Sequence, residues 1–236
     1  MTEDADLWAL HRLSEARRLQ SWMFSVLRPA HPGPMLEVGA GIGTFSSLLL
    51  DAGADPLVLV EPEAACVTQL RTRFEGDRRV TIAPEFLPDS PTLRSCRGSF
   101  RYALCQNVLE HIEDDVSALT AVVEALEPGG EIAILVPAHP LLFGRLDERF
   151  GHFRRYTRSR LRLLVAQAGA ELASLRSFNL LGVAGWVLAG ATSRVDIDAG
   201  SLRIYEALLR PCRPIEDALR PPVGLSLVAR ARKPTT

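Results

Sequence analysis

An α/β fold built on a doubly wound, mostly parallel sheet, with a helix ahead of its first strand, is what three observations in this sequence predict. Met35 to Leu50, MLEVGAGIGTFSSLLL, reads as an apolar strand, a turn with glycines at alternate positions (Gly39, Gly41, Gly43) and a helix carrying Phe45, Leu48, Leu49 and Leu50. A second strand, Pro56 to Val60, follows a polar turn and ends on Glu61. Short apolar runs and amphipathic stretches then keep alternating, the rhythm that a parallel sheet with helical crossovers requires.

Composition excludes several functions before any motif is read. The 236 residues carry a net charge of -1, a balance that sets up no global field toward nucleic acid or an anionic membrane and leaves only a local patch open. Lys233 is the only lysine, which argues against lysine Schiff-base chemistry. Cys66, Cys96, Cys105 and Cys212 are scattered without C-x-x-C spacing and read as reduced packing residues. The charged N-terminal stretch lacks the layout of a signal peptide, and the most apolar run, Phe178 to Ala191, is too short to cross a bilayer. A cytoplasmic protein of a bacterium with a GC-rich genome is therefore expected, with that apolar run as a buried or cleft-lining helix and interfacial attachment as the lesser alternative.

From Leu7 to about Leu27, apolar residues recur at helical spacing, with Trp8, His11 and Trp22 as candidates to line a pocket and core packing as their plainer role. Pro29, Pro32 and Pro34 end the helix and deliver the chain to the first strand. In the loop that follows, glycines answer a need for positive φ or for a ligand lying against the backbone. Open α/β sheets bind their ligands at such strand ends. Glu37, two residues before Gly39, would repel a pyrophosphate; Thr44 occupies the third glycine position of the dinucleotide pattern, and no P-loop lysine follows. An acidic E-x-G-x-G-x-G suits a cationic, phosphate-free ligand, and S-adenosylmethionine, with its sulfonium and ammonium groups, fits. Glu61, about twenty residues on, can accept both ribose hydroxyls.

Glu37-Val38-Gly39-Ala40-Gly41-Ile42-Gly43 together with Glu61-Pro62 resembles the class I S-adenosylmethionine-dependent methyltransferases. The resemblance implies a seven-stranded Rossmann-like sheet whose last strand lies antiparallel between the fifth and sixth. It also implies S-adenosylmethionine as cofactor, held by Glu37, Gly39, Ala40, Gly41, Gly43, Glu61 and Pro62. The chain then divides, within one domain, into a helical cap (1–30), a cofactor-binding half (31–136) and a substrate-facing half (137–236).

Glu63 to Phe74 reads as the next helix and Val80 to Ala83 as a short third strand. By the resemblance, Glu85 belongs near the adenine amine and Phe86 against its ring. Phe100 to Gln106 is the fourth strand, and the Asn107 to Ile112 segment after it resembles the one whose tip faces the methyl group, with Asn107 and Val108 on the cofactor. His111 opens a helix whose first turn holds Glu113, Asp114 and Asp115; it orients the loop or contacts cofactor or substrate. Some methyltransferases bind magnesium at an E-x-x-E-H segment. Asn107 replaces the first carboxylate here and leaves Glu110 and His111, with His152 or His139, so no metal is expected.

After a Glu127-Pro128-Gly129-Gly130 turn, Glu131 to Val136 is the fifth strand. Pro137 to Thr157 breaks the rhythm with a long connection at the ligand edge of the sheet. His152 is its candidate general base, since an imidazole titrates near neutral pH and can take a proton from a hydroxyl or ammonium. Asp147 could orient it while Tyr156, Arg154 and Arg155 bind a polar part of the substrate; alternatively Asp147, Arg155 and Tyr156 fix this lid as a network. Thr157 caps a helix that Gly169 ends. Glu171 to Ser177 is the sixth strand, followed by the apolar helix, a polar break at Ser193 to Ser201, a helix from Leu202 to about Leu209, a short turn at Ile215 to Leu219 and a last strand within Gly224 to Arg232. GHFRRYT, FNLLGVAGW and GLSLVARARKP are similar to a bacterial subgroup. The expected reaction is methyl transfer to an oxygen or nitrogen of a small molecule: a natural product, sugar or lipid-linked intermediate. A cyclisation on the same fold and an NAD(P)-dependent oxidation are the alternatives. No nucleic-acid partner is expected, and a homodimer is left open.

Overall fold

The computed structural model describes residues 10–191 and 199–235. Leu7, Trp8 and most of the break that opens at Ser193 lie outside them. After a helical stretch at 10–14 come α1 (Arg17–Leu27), β1 (Gly33–Val38), α2 (Thr44–Asp51), β2 (Ala54–Val60), α3 (Ala64–Arg73), β3 (Val80–Ala83), α4 (Pro91–Ser95) and β4 (Phe100–Gln106). A 3-10 turn at Leu109–His111 leads to α5 (Asp115–Ala125) and β5 (Leu126–Pro137). The remainder is α6 (Arg145–Arg149), α7 (Arg158–Gln167), β6 (Glu171–Phe178), α8 (Leu180–Ala191), α9 (Ala199–Leu219) and β7 (Ser226–Arg232).

The seven strands run in the order β3-β2-β1-β4-β5-β7-β6. β7 pairs antiparallel with both β5 and β6, and every other pairing is parallel. Alternate residues of each strand enter opposite layers: Leu36, Val58, Ala103 and Ile134 pack under α5 and α7, while Met35, Leu57, Leu104 and Leu135 pack under α1, α2 and α9. Both layers are dry, which is why the central strands read as nearly continuous apolar runs. Strand order reverses between β1 and β4, so their carboxyl ends part and leave the crevice in which such sheets bind ligands.

Tertiary packing redraws several boundaries. The helix and separate turn expected between Leu202 and Leu219 form one helix, α9, that carries Pro211 and Pro214. Its acids bond to the N-terminal amides of α1 and α8, contacts that hold it together across the two prolines. The Glu127 to Gly130 turn lies inside β5, as the irregularity between the Phe100 and Tyr102 pairings of β4. Two short helices went unforeseen. α4 is capped by the Ser90 hydroxyl, which accepts the Leu93 N–H, and α6 interrupts the long connection.

Candidate active site

The glycine loop closes over the tips of β1 and β2 because Val38 pairs with Val60, which sets Gly39 beside Glu61. Gly39 has φ +68°, and a Cβ there would sit 2.3 Å from Val108 Cγ2, so the tip of β4 is drawn against the loop backbone. Gly43, at φ +81°, starts α2, and a Cβ there would meet Phe74 and Leu70 at 2.8 and 2.9 Å. Glu61 Oε2 accepts the Gly41 N–H at 2.7 Å and Oε1 the Glu63 N–H at 3.0 Å. Each oxygen keeps lone pairs suited to a ribose diol. Leu10 lies against Gly41 and His11 contacts Gln69 of α3, so the N-terminal segment covers the loop. Trp22 faces the core instead, its ring 4.3 Å from that of Phe178.

Glu37 is not the fixed anion that its position suggests. It is buried beneath the loop and accepts the Ser46 hydroxyl. Burial pushes its pKa up to about 8; the Ser46 bond opposes this and the Glu61 charge adds to it. Burial also raises Glu61. In the ligand-free loop Glu37 is therefore largely protonated at neutral pH. A cation bound nearby favours its ionised form, so binding expels a proton and affinity rises with pH from about 6 to 8. Calorimetry of S-adenosylmethionine in buffers of different ionisation enthalpy is expected to show release approaching one proton per site near pH 7. Glu37→Gln is expected to remove both the release and the slope.

Two other expected contacts are occupied elsewhere. Glu85 caps α4: its carboxylate accepts the Thr92 N–H and the Thr92 and Ser90 hydroxyls. Despite the burial that opposes it, these bonds hold its carboxyl below the usual range, and it is not free for an adenine amine. Phe86 beside it is 72% exposed and has the open face that a ring would need. Tyr156 is fully buried, and its hydroxyl donates to Asp115, which also pairs with Arg154 and Arg160. It ties the long connection to α5 and leaves no side-chain surface exposed. Arg155, buried on Asp147 and stacked 4.2 Å over the Trp186 ring, is likewise structural. The expected single network of Asp147, Arg155 and Tyr156 is thus two separate anchors of the connection, Asp147 with Arg155 and Tyr156 with Asp115.

What the connection does present is His152. Its Nδ1 lies 2.8 Å from Asp147 Oδ1. A carboxylate only accepts, so the neutral ring donates from Nδ1 and carries its lone pair on Nε2. His111, from the tip of β4, meets it edge to face with ring centroids 4.7 Å apart. Desolvation and the neighbouring His152 hold His111 down at about 4, so it is neutral. Glu110 beside them is buried, which pushes it up to about 8. Ligand atoms of Glu110, His111 and His152 all lie within 4.8 Å of one another and could hold a divalent cation. Gln106 Oε1, Glu110 Oε2 and His139 Nε2 are buried without a partner among the described residues, all around the tips of β4 and β5. Asn107 and His139 adopt φ of 51° and 60° there, the kind of strain that collects at ligand sites. Sequence reading gave His139 only a minor part; its strain has no sequence signal.

The glycine loop, Glu61 with lone pairs to spare, the Asn107-Val108 tip and the orphaned acceptors gather at the carboxyl edge of the sheet. The family described as a methyltransferase domain matches residues 10–175. A ubiquinone biosynthesis O-methyltransferase of Xanthomonas campestris pv. campestris is 30% identical over 110 residues, which cover 44% of this chain and 44% of that protein. The chain thus spans less than half the length of this curated relative. Among solved structures, a geranyl diphosphate methyltransferase in complex with S-adenosylmethionine superposes with a TM-score of 0.67 at 14% identity, covering 98% of this chain and 90% of that one. The [4+2]-cyclase SpnF superposes with a TM-score of 0.61 at 16% identity, covering 93% and 81%. The match over most of its length, together with the sheet order, shows that the chain belongs to the methyltransferase-domain family.

Proposed function

We propose that the chain methylates an oxygen or nitrogen of an apolar small molecule, with His152 as the general base. The observation that carries this is the Asp147–His152 pair, which leaves Nε2 as the acceptor beside His111 at the carboxyl edge of the sheet. Glu61, the glycine loop, Asn107 and Val108 would hold the cofactor. When bound, S-adenosylmethionine supplies a methyl group already activated by a positive sulfur. The chain's own task is to place the acceptor in line, exclude water and take its proton. His152 accepts that proton as the new bond forms, and Asp147 stabilises the resulting imidazolium.

An apolar acceptor is supported by the edge around the site, where Phe86, Leu141, Phe143 and Phe153 are exposed. The Xanthomonas relative's place in ubiquinone biosynthesis points the same way. With methyl-labelled cofactor, transfer of label to a phenol bearing an apolar tail, but not to a sugar, is the expected result. Consumption of substrate without gain of a methyl would instead favour a cyclisation, the reaction named for SpnF. A second reading, in which Glu110, His111 and His152 hold a divalent cation against the acceptor oxygen, is favoured by the orphaned Glu110 Oε2. A carboxylate with two imidazoles suits zinc or manganese better than magnesium. Turnover that survives a chelator supports the metal-free base; loss restored by one of these ions supports the cation.

A further inference from the structure

We propose that the outer face of α9 docks the protein on an anionic lipid surface. The helix runs for 21 residues, about 31 Å, and its two faces differ completely. Leu202 and Leu209 pack inward. Its three acids turn inward too, each with a defined task. Glu206 accepts the Arg18 and Leu19 N–H groups at the start of α1, Glu216 those of Asn179 and Leu180 at the start of α8, and Asp217 the Trp22 indole N–H. Outward, Ile204, Leu208, Ile215 and Leu219 are between 46% and 75% exposed. Their spacings of four, seven and four residues place them on one stripe. Arg203 and Arg210 stand exposed along one border of that stripe, and the one acid that is partly exposed there, Asp217, is held by Trp22 and Arg213.

An apolar stripe with exposed arginines along its border is the pattern of a helix that lies in a lipid interface, with its apolar side among the acyl chains and its cations at anionic headgroups. A second copy fits less well, because a two-fold pairing of the stripe sets arginine against arginine while Asp217 is already held by Trp22 and Arg213. The helix also passes over Asn179, to which Tyr205 donates at 2.6 Å, so it borders the end of β6 and hence the sheet edge that holds the site. Docking there would bring that edge near membrane-dissolved molecules. The argument itself uses only α9 and stands whether or not the acceptor is apolar.

The test is sedimentation of the whole protein with vesicles of phosphatidylcholine alone or with one quarter phosphatidylglycerol, read without any methyl transfer. Binding to the anionic vesicles is expected to be at least roughly tenfold tighter than to the neutral ones, and to fall several-fold as salt rises from about 0.1 to 0.5 M. Ile204→Glu with Ile215→Glu is expected to abolish it, and Arg203→Ser with Arg210→Ser to weaken it to the neutral-vesicle level. Circular dichroism and affinity for S-adenosylhomocysteine serve as controls of folding; if the glutamate pair misfolds, the arginine pair decides. Equal binding to both vesicles, no binding at low salt, or binding retained in both variants overturns the proposal. A concentration-dependent dimer that the same substitutions dissolve, without vesicle binding, assigns the face to a second copy and overturns it as well.

Discussion

His152→Ala is expected to slow turnover roughly 10²- to 10⁴-fold while leaving the affinity for S-adenosylhomocysteine within about twofold. The two effects separate because the residue contacts the lid and not the loop. His152 is held by Asp147 and His111, whereas the residues proposed to hold the cofactor stand at the tips of β1, β2 and β4. A small basic molecule such as imidazole, added back to the variant, should restore part of the rate if the missing function is proton acceptance. The proton transfer is needed only for a hydroxyl or ammonium acceptor, so an acceptor supplied already ionised should lose much less. Turnover unchanged in the variant would remove His152 from the chemistry and leave it as a brace of the lid.

Asp147→Ala is expected to cost about 3–5 kcal/mol of stability. Asp147 and Arg155 are both buried, and the carboxylate also accepts the Gly144 N–H and the His152 ring. Removing it leaves the guanidinium buried without its paired carboxylate, with the Ala138 carbonyl as its remaining hydrogen-bond acceptor. In a chain of this size the unfolding midpoint should fall by roughly 6–20 °C by calorimetry. Asp147→Leu combined with Arg155→Met removes both charges and should recover most of the loss; a double variant as unstable as the single one would place the cost in lost packing. Although burial opposes it, the bonds from His152 and Arg155 hold the Asp147 carboxyl below the usual range. Its contribution is therefore complete above the ordinary carboxylate pKa near 3.9 and is lost only as pH falls through the lower native value.

Much of this fold could be read directly from residue order. The alternation of apolar runs and amphipathic stretches marks all seven strands, and the spacing from Gly39 to Glu61 marks the edge where the glycine loop meets the second strand tip, because strand, turn and helix each impose a local period. Short elements escaped: α4 and α6 have five residues each, too few to show a period. The helix and separate turn read between Leu202 and Leu219 are one element, α9, whose Glu206 and Glu216 bond inward on either side of Pro211 and Pro214. The lid behaved similarly. Sequence could place Asp147, His152, Arg155 and Tyr156 in one connection but could not say which would be buried, and burial is what makes Tyr156 and Arg155 braces and leaves His152 partly exposed beside them.

By itself the sequence determined the layered sheet, the glycine loop, the acid at each of the first two strand tips and the kinds of residue available for proton transfer. Tertiary structure alone decided the charge state of Glu37, the meeting of His111 with a histidine 41 positions away, the diversion of Glu85 to a helix cap and the turning of every acid of α9 toward the protein. The reason is that periodicity reports which face of an element is buried, whereas protonation and partnership depend on what distant segments bring to that face and how much water they exclude.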